Sequence, residues 1–128
     1  MFKRIFNAGA QAAGARAAGD FWPRPAVIEA LTARFSAVDD LGEDGPFALY
    51  RITGGDVRFV VALHLVEGAK GKVLDVGFIA RFSGYALSDA ALERANRLLH
   101  ISVLAEELGD IYLLSAIEAA GPFNPQTF

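Results

Sequence analysis

Between Val57 and Phe82 the chain alternates with a period of two, a pattern that suits a β-hairpin and not a helix. Val57, Phe59, Val61, Leu63 and Leu65 share one parity, which is wholly apolar, while Arg58, Val60, Ala62, His64 and Val66 share the other, which is mixed. Beyond Glu67-Gly68-Ala69-Lys70-Gly71 the stretch Lys72 to Phe82 repeats the design. Leu74, Val76, Phe78, Ala80 and Phe82 are apolar, and Val73, Asp75, Gly77, Ile79 and Arg81 are mixed. Successive side chains of a strand point to opposite faces. Both strands therefore have a dry face for a core and a second face that is neither dry nor fully wet. Such a sheet carries helices on one side and meets solvent or a partner on the other.

The flanking segments complete an order α-β-β-β-α-β-β. Pro23 and Pro25 suit a helix start, where a missing N–H costs little. Val27, Ile28, Leu31 and Phe35 then recur at helical spacing. Asp39-Asp40-Leu41-Gly42 and Gly45-Pro46 read as the turn region that ends this helix. Phe47 to Ile52 reads as the first strand, and Thr53-Gly54-Gly55-Asp56 as a turn into the hairpin. Ser88 is a good N-cap for a second helix, with Asp89 at its positive end and Leu87 positioned to staple onto Leu92. Leu92, Ala95, Leu98 and Leu99 form its apolar stripe. Ile101 to Ala105 and Ile111 to Glu118 read as the last two strands. Gly121-Pro122-Phe123-Asn124-Pro125 cannot continue a ladder. The expected fold is α+β: an antiparallel five-stranded sheet with two helices on one face. Residues 1–22 read as an N-terminal extension, partly ordered or helical, and residues 23–128 as a single domain.

Composition excludes several classes of function. The 128 residues are 53% hydrophobic and 21% charged, with net charge −3 and no Lys/Arg cluster larger than Lys3-Arg4. Phosphate-backbone binding needs concentrated positive charge, so nucleic acid is not an expected partner. Cysteine is absent, which removes disulfides, thiol nucleophiles and cysteine metal sites. Asn7, Gln11 and Arg16 interrupt every candidate apolar run of a secretory signal near the N-terminus. No segment approaches the ~18 apolar residues of a membrane span. The expectation is a cytoplasmic protein without stable membrane association.

The polar residues form no catalytic constellation. His64 and His100 lie on different elements and lack the spacing of a metal motif. His100 falls at the end of the second helix, where the helix dipole accounts for it. If Leu65 faces Leu74, His64 lies across from Asp75, a cross-strand polar pair, and Arg58 then lies opposite Arg81 unless a carboxylate intervenes. Glycines are numerous, 13 in all, yet no phosphate-binding loop appears. Glu106 and Glu107 are adjacent, so in a strand they point apart and form no glycosidase-like pair. No catalytic residue, cofactor or metal is expected. What remains is surface: Arg58, Val60, Ala62, His64, Val66, Val73, Asp75, Ile79 and Arg81 form a semi-apolar patch with a polar fringe, the composition of a protein interface. The alternative is that the N-terminal extension, or the tail with Phe123 and Phe128, covers it.

The stretch Leu92 to Glu118, LERANRLLHISVLAEELGDIYLLSAIE, resembles the YbjN-like family of bacterial sensory transduction regulators. There a helix carrying an Asn leads into a strand, an acidic Gly-Asp turn and a second apolar strand. Asn96 corresponds to the helical Asn, and Gly109-Asp110 to the turn. The resemblance extends in outline over residues 23–118. It implies a curved antiparallel sheet with helices on one face, as in type III secretion chaperones, and often a homodimer. It implies no catalytic residues. The function it implies is a non-enzymatic, chaperone-like or regulatory protein-binding module with an unidentified protein partner. The alternative is a small-molecule binder or weak enzyme with a pocket near His64, Asp75 and Arg81.

Overall fold

The computed structural model describes residues 21–83, 87–99, 102–107, 110–119 and 121–128. The described residues form an α+β fold in which one antiparallel sheet carries two helices. In chain order the elements are β1 (Trp22–Pro23), α1 (Arg24–Arg34), β2 (Ala37–Asp44), β3 (Phe47–Gly54), β4 (Val57–Val66), β5 (Ala69–Phe82), α2 (Asp89–Leu98), β6 (Ser102–Glu107) and β7 (Asp110–Glu118). A short 3-10 turn, Pro125–Thr127, closes the tail. The sheet order is β2-β3-β4-β5-β7-β6, with β1 also paired to β5.

The sheet has seven strands where five are expected, and both additions have a physical cause. The turn-like run Asp39-Asp40-Leu41-Gly42 is a bulged edge strand. Leu41 is the extra residue in the β2–β3 register, and the Gly42 N–H donates to Asp40 Oδ1 at 2.7 Å. Gly42 holds φ +91, a conformation that glycine adopts without strain. The second addition is β1, where Trp22 pairs with Val73. Phe21 and Trp22, assigned by composition to the extension, are buried and belong to the domain. Residues 1–20 of that extension, His100, Ile101 and Gly109 lie outside the described residues.

The first face of the sheet is the core. Val61 and Leu63 of β4 stand between Tyr50 and Ala48 of β3 and Phe78 and Val76 of β5. Val27 and Leu31 of α1 close over them, together with Trp22. Leu31, Ile52, Leu63 and Val76 are fully buried. The tail seals the rim of this same face. Trp22 donates from Nε1 to the Gly121 carbonyl at 3.2 Å, and Phe123 and Phe128 meet the Trp22 ring edge-on at centroid distances of 5.3 and 6.4 Å. Phe128 continues to Phe78, and Phe78 to Phe59. Edge-on aromatic pairs of this kind add about 0.5–1.5 kcal/mol each beyond the area they bury. The tail therefore covers the dry face and not the mixed one.

The register between β4 and β5 changes one face assignment. His64 pairs with Asp75 as the alternation predicts, but Leu65 pairs with Val73, so Leu74 is a bulge. The extra residue reverses parity, and Val73 turns into the core of the first face. α2 differs from expectation in its placement. It is capped by Ser88, whose Oγ accepts from the Ala91 N–H at 3.1 Å, yet none of its residues is buried. Its main contacts are with β6, the outermost strand, and not with the covered face.

Two predictions concern stability. Leu31→Ala should cost about 2–5 kcal/mol in chemical denaturation, because a fully buried leucine leaves a cavity that a sheet-bound helix collapses poorly. The second concerns Glu43, whose carboxylate accepts from Lys70 Nζ and Arg24 Nη1, both at 3.1 Å. The hydrogen bonds from Lys70 and then Arg24 hold its pKa below the ordinary 4.5. The stabilisation is thus complete above pH 4.5 and lost as pH falls through the lower folded value. Glu43→Gln should flatten the acid limb of a stability-against-pH curve, and salt should weaken the effect in the parent because the carboxylate is exposed.

Candidate functional site

Two surfaces compete for a functional role. The first is the second face of the sheet, where Phe47, Ala62, Ile79 and Leu114 form a separate buried cluster ringed by Leu49, Val60, Ala105 and Tyr112. β3, β4, β5 and β7 each contribute one of its four buried residues. Sequence reasoning missed Leu114 and Tyr112 because nothing local to β7 shows that it pairs with β5.

Of the nine residues expected on this face, Arg58 and Arg81 are exposed, and Val60, His64 and Val66 are half-buried. Ala62, Asp75 and Ile79 are buried within the face. Val73 is not on it, because the bulge at Leu74 turns it to the core. His64 Nδ1 lies 3.3 Å from Asp75 Oδ2, and the Phe47 ring packs on the imidazole at a centroid distance of 5.0 Å. Asp75 is only 3% exposed. The pair is a part-buried cross-strand contact on which the Phe47 ring packs.

Arg81 does not join them. It lies six residues along β5 from Asp75, about 20 Å at the rise of an extended strand. Its guanidinium is held by Asp110, with Nε donating to Oδ2 at 2.8 Å. The β4–β5 register reaches only Val60–Ile79 at that end, so Arg58 is not paired with Arg81 there. A single pocket combining His64, Asp75 and Arg81 is therefore not what these side chains form. Among the described residues no group of three or more His, Asp or Glu side chains is placed to hold a metal ion. No helix among them is long and apolar enough to cross a membrane.

The second surface is the margin made by α2, β6 and β7. β6 is the outermost strand, so one side of its backbone lacks a strand partner. Asn96 supplies one. Its Nδ2 donates to the Leu104 carbonyl at 2.9 Å, and its Oδ1 accepts from the Leu104 N–H at 2.6 Å. The side-chain amide thus imitates one peptide unit of a neighbouring strand, which blocks the edge and fixes α2 alongside it. Between helix and sheet runs a groove of about 780 Å³, with Leu92, Val103, Ala105 and Leu114 among its apolar lining and Asp89 and Glu106 among its polar residues.

The outer side of α2 carries Asp89, Glu93, Arg94 and Arg97 as well as Leu98, while Ala91, Leu92 and Ala95 are half-buried. Ala91, Ala95 and Leu98 fall within one helical stripe, and Leu98 is 75% exposed. On β6 beside it, Val103 is 53% exposed. A ten-residue helix none of whose residues is fully buried is marginal by itself, since isolated helices shorter than ~12–15 residues rarely persist in water. The described contacts that retain it are the Ser88 cap, the Asn96 clamp and the Glu93–Arg97 pair one turn apart.

No protein-family model, curated protein or solved structure matches the chain.

Asn96→Ala removes both clamp bonds and leaves the Leu104 backbone groups to water or to another strand. It should cost about 1–3 kcal/mol in thermal unfolding, since two part-buried hydrogen bonds are lost. It should also raise the rate of aggregation on heating, measured by turbidity, because the β6 edge becomes available.

Proposed function

We propose that the protein is a non-enzymatic, chaperone-like or regulatory protein-binding module that works as a homodimer, in line with its resemblance to the YbjN-like family and to type III secretion chaperones. The observation that carries the reading is the amphipathic helix α2, none of whose residues is fully buried and whose Leu98 is 75% exposed. Its charges are arranged for self-pairing. Asp89 and Glu93 occupy the first half and Arg94 and Arg97 the second. A two-fold axis that sets α2 antiparallel to its copy brings each acidic half against a basic half, and the apolar stripes against each other. Such self-complementarity is what an isologous interface requires. A helix of ten residues spans only about 15 Å, so a stable contact extends onto β6 through Val103.

The groove on the inner flank of α2 then serves a partner protein. Its apolar lining with Asp89 and Glu106 at the polar positions suits an apolar segment bearing basic residues. The cytoplasm is the proposed location.

Mass by light scattering tests the dimer. The parent should be a dimer at about 100 μM, and Ala95→Asp with Leu98→Asp should yield a folded monomer of unchanged circular dichroism. A parent that is monomeric at that concentration contradicts the reading.

A further inference from the structure

Asn96 meets both the N–H and the carbonyl of Leu104, so these groups point away from β7. Alternation along a strand turns the backbone groups of Ser102 and Glu106 the same way. Among the described residues β6 has a strand on one side only, and the Asn96 amide is the sole hydrogen-bonding group on the other. Such a row of backbone groups is a template for another strand. α2 is lightly held against it. None of its residues is fully buried, and its Ser88 cap and Glu93–Arg97 pair are internal to the helix. Among the described residues, its hydrogen bonds to the sheet are the two of Asn96.

We infer that β6 is a conditional dimerisation edge: when Asn96 releases Leu104, β6 of a second copy adds antiparallel, with Leu104 opposite its own counterpart. The occupant follows from the strand Ser102–Glu107 itself. Outward-pointing residues must meet outward-pointing residues, so only a few two-fold registers exist. A two-fold axis at Glu106 sets like charges opposite each other. An axis at Ala105 sets Leu104 against Glu106 and Val103 against Glu107, and one at Val103 overlaps Ser102–Leu104 only. The axis at Leu104 pairs Ser102–Glu106 without those conflicts. Leu104 meets Leu104, the Ser102 hydroxyl lies beside the Glu106 carboxylate, and Val103, which is 53% exposed, meets Ala105. Ser102, Leu104 and Glu106 of each copy then exchange N–H···O bonds, where Asn96 serves Leu104 alone. The contact is isologous and joins the two sheets into one. It does not rest on the α2 dimer, which uses the outer side of α2 and leaves the Asn96 clamp closed.

The chain has no cysteine, so a single introduced thiol can form a disulfide only with its counterpart in another copy. At a hydrogen-bonded antiparallel pair the two Cα atoms lie about 5.5 Å apart, within disulfide reach. In the proposed register Ser102 and its counterpart stand four residues apart along the strands, about 14 Å, which a disulfide does not span. Under mild oxidation of the full-length protein, followed by non-reducing electrophoresis, Leu104→Cys should give a covalent dimer at least about tenfold faster than Ser102→Cys. Adding Asn96→Ala to Leu104→Cys should raise that rate by about tenfold more, as expected for two lost hydrogen bonds. Adding Leu98→Asp, which acts on the α2 contact, should leave the rate unchanged, so failure of the α2 dimer and failure of the edge pairing read separately. Three results would each overturn the inference: equal rates for the two cysteine variants, a Leu104→Cys rate indifferent to Asn96→Ala in a protein of native circular dichroism, or a rate abolished by Leu98→Asp. The comparison of the two cysteines is made with the clamp intact, so it decides the matter even where Asn96→Ala does not fold.

Discussion

The sheet is apolar on both sides, and among the described residues the helix that packs broadly on it, α1, covers only one of them. Everything else follows from this imbalance. On the first face α1, Trp22 and the aromatic tail close over Ile52, Val61, Leu63 and Val76, which supplies a core of the size a domain this small needs. On the second face a smaller cluster around Ile79 and Leu114 is also withdrawn from water. The sheet margin, meanwhile, carries a helix none of whose residues is fully buried. The part-buried polar pair His64 and Asp75 is packed beneath Phe47, and Arg81 is held by Asp110.

The legible part of the fold was that governed by simple periodicity. β4 occupies Val57–Val66, as its alternation requires, and β5 and β7 differ from expectation only at their first residues. What escaped was everything that depends on a partner strand. β2 has the composition of a turn because an exposed, bulged edge strand has little to bury, so Asp39, Asp40 and Gly42 are permitted there. The face of Val73 was lost at Leu74, since one bulged residue reverses parity and no local signal marks it. Phe123 and Phe128 read as tail residues, yet long-range stacking on Trp22 makes them part of the core rim.

The candidate site shows the same division. His64 opposite Asp75 was legible because alternation and a short loop fix that pair, and the structure places them 3.3 Å apart. The significance of α2 was not. Its stripe of Leu92, Ala95 and Leu98 looks in sequence like any helix that packs on a sheet, but beside the edge strand Leu92 and Ala95 are only half-buried and Leu98 is exposed. Asn96, in sequence only a mark of resemblance, acquires a physical role: it pairs with the Leu104 backbone as a strand would, and so holds the helix at the sheet margin. The proposed interaction surface accordingly lies on the helix–hairpin unit and not on the central hairpin.

Hydrogen–deuterium exchange of the full-length protein across a hundredfold range of concentration, about 1 to 100 μM, tests this most directly. If α2 is the self-association surface, the amides of residues 89–98 should gain protection as concentration rises, while those of β4 and β5 stay constant. Exchange in α2 that is the same at every concentration would contradict the account.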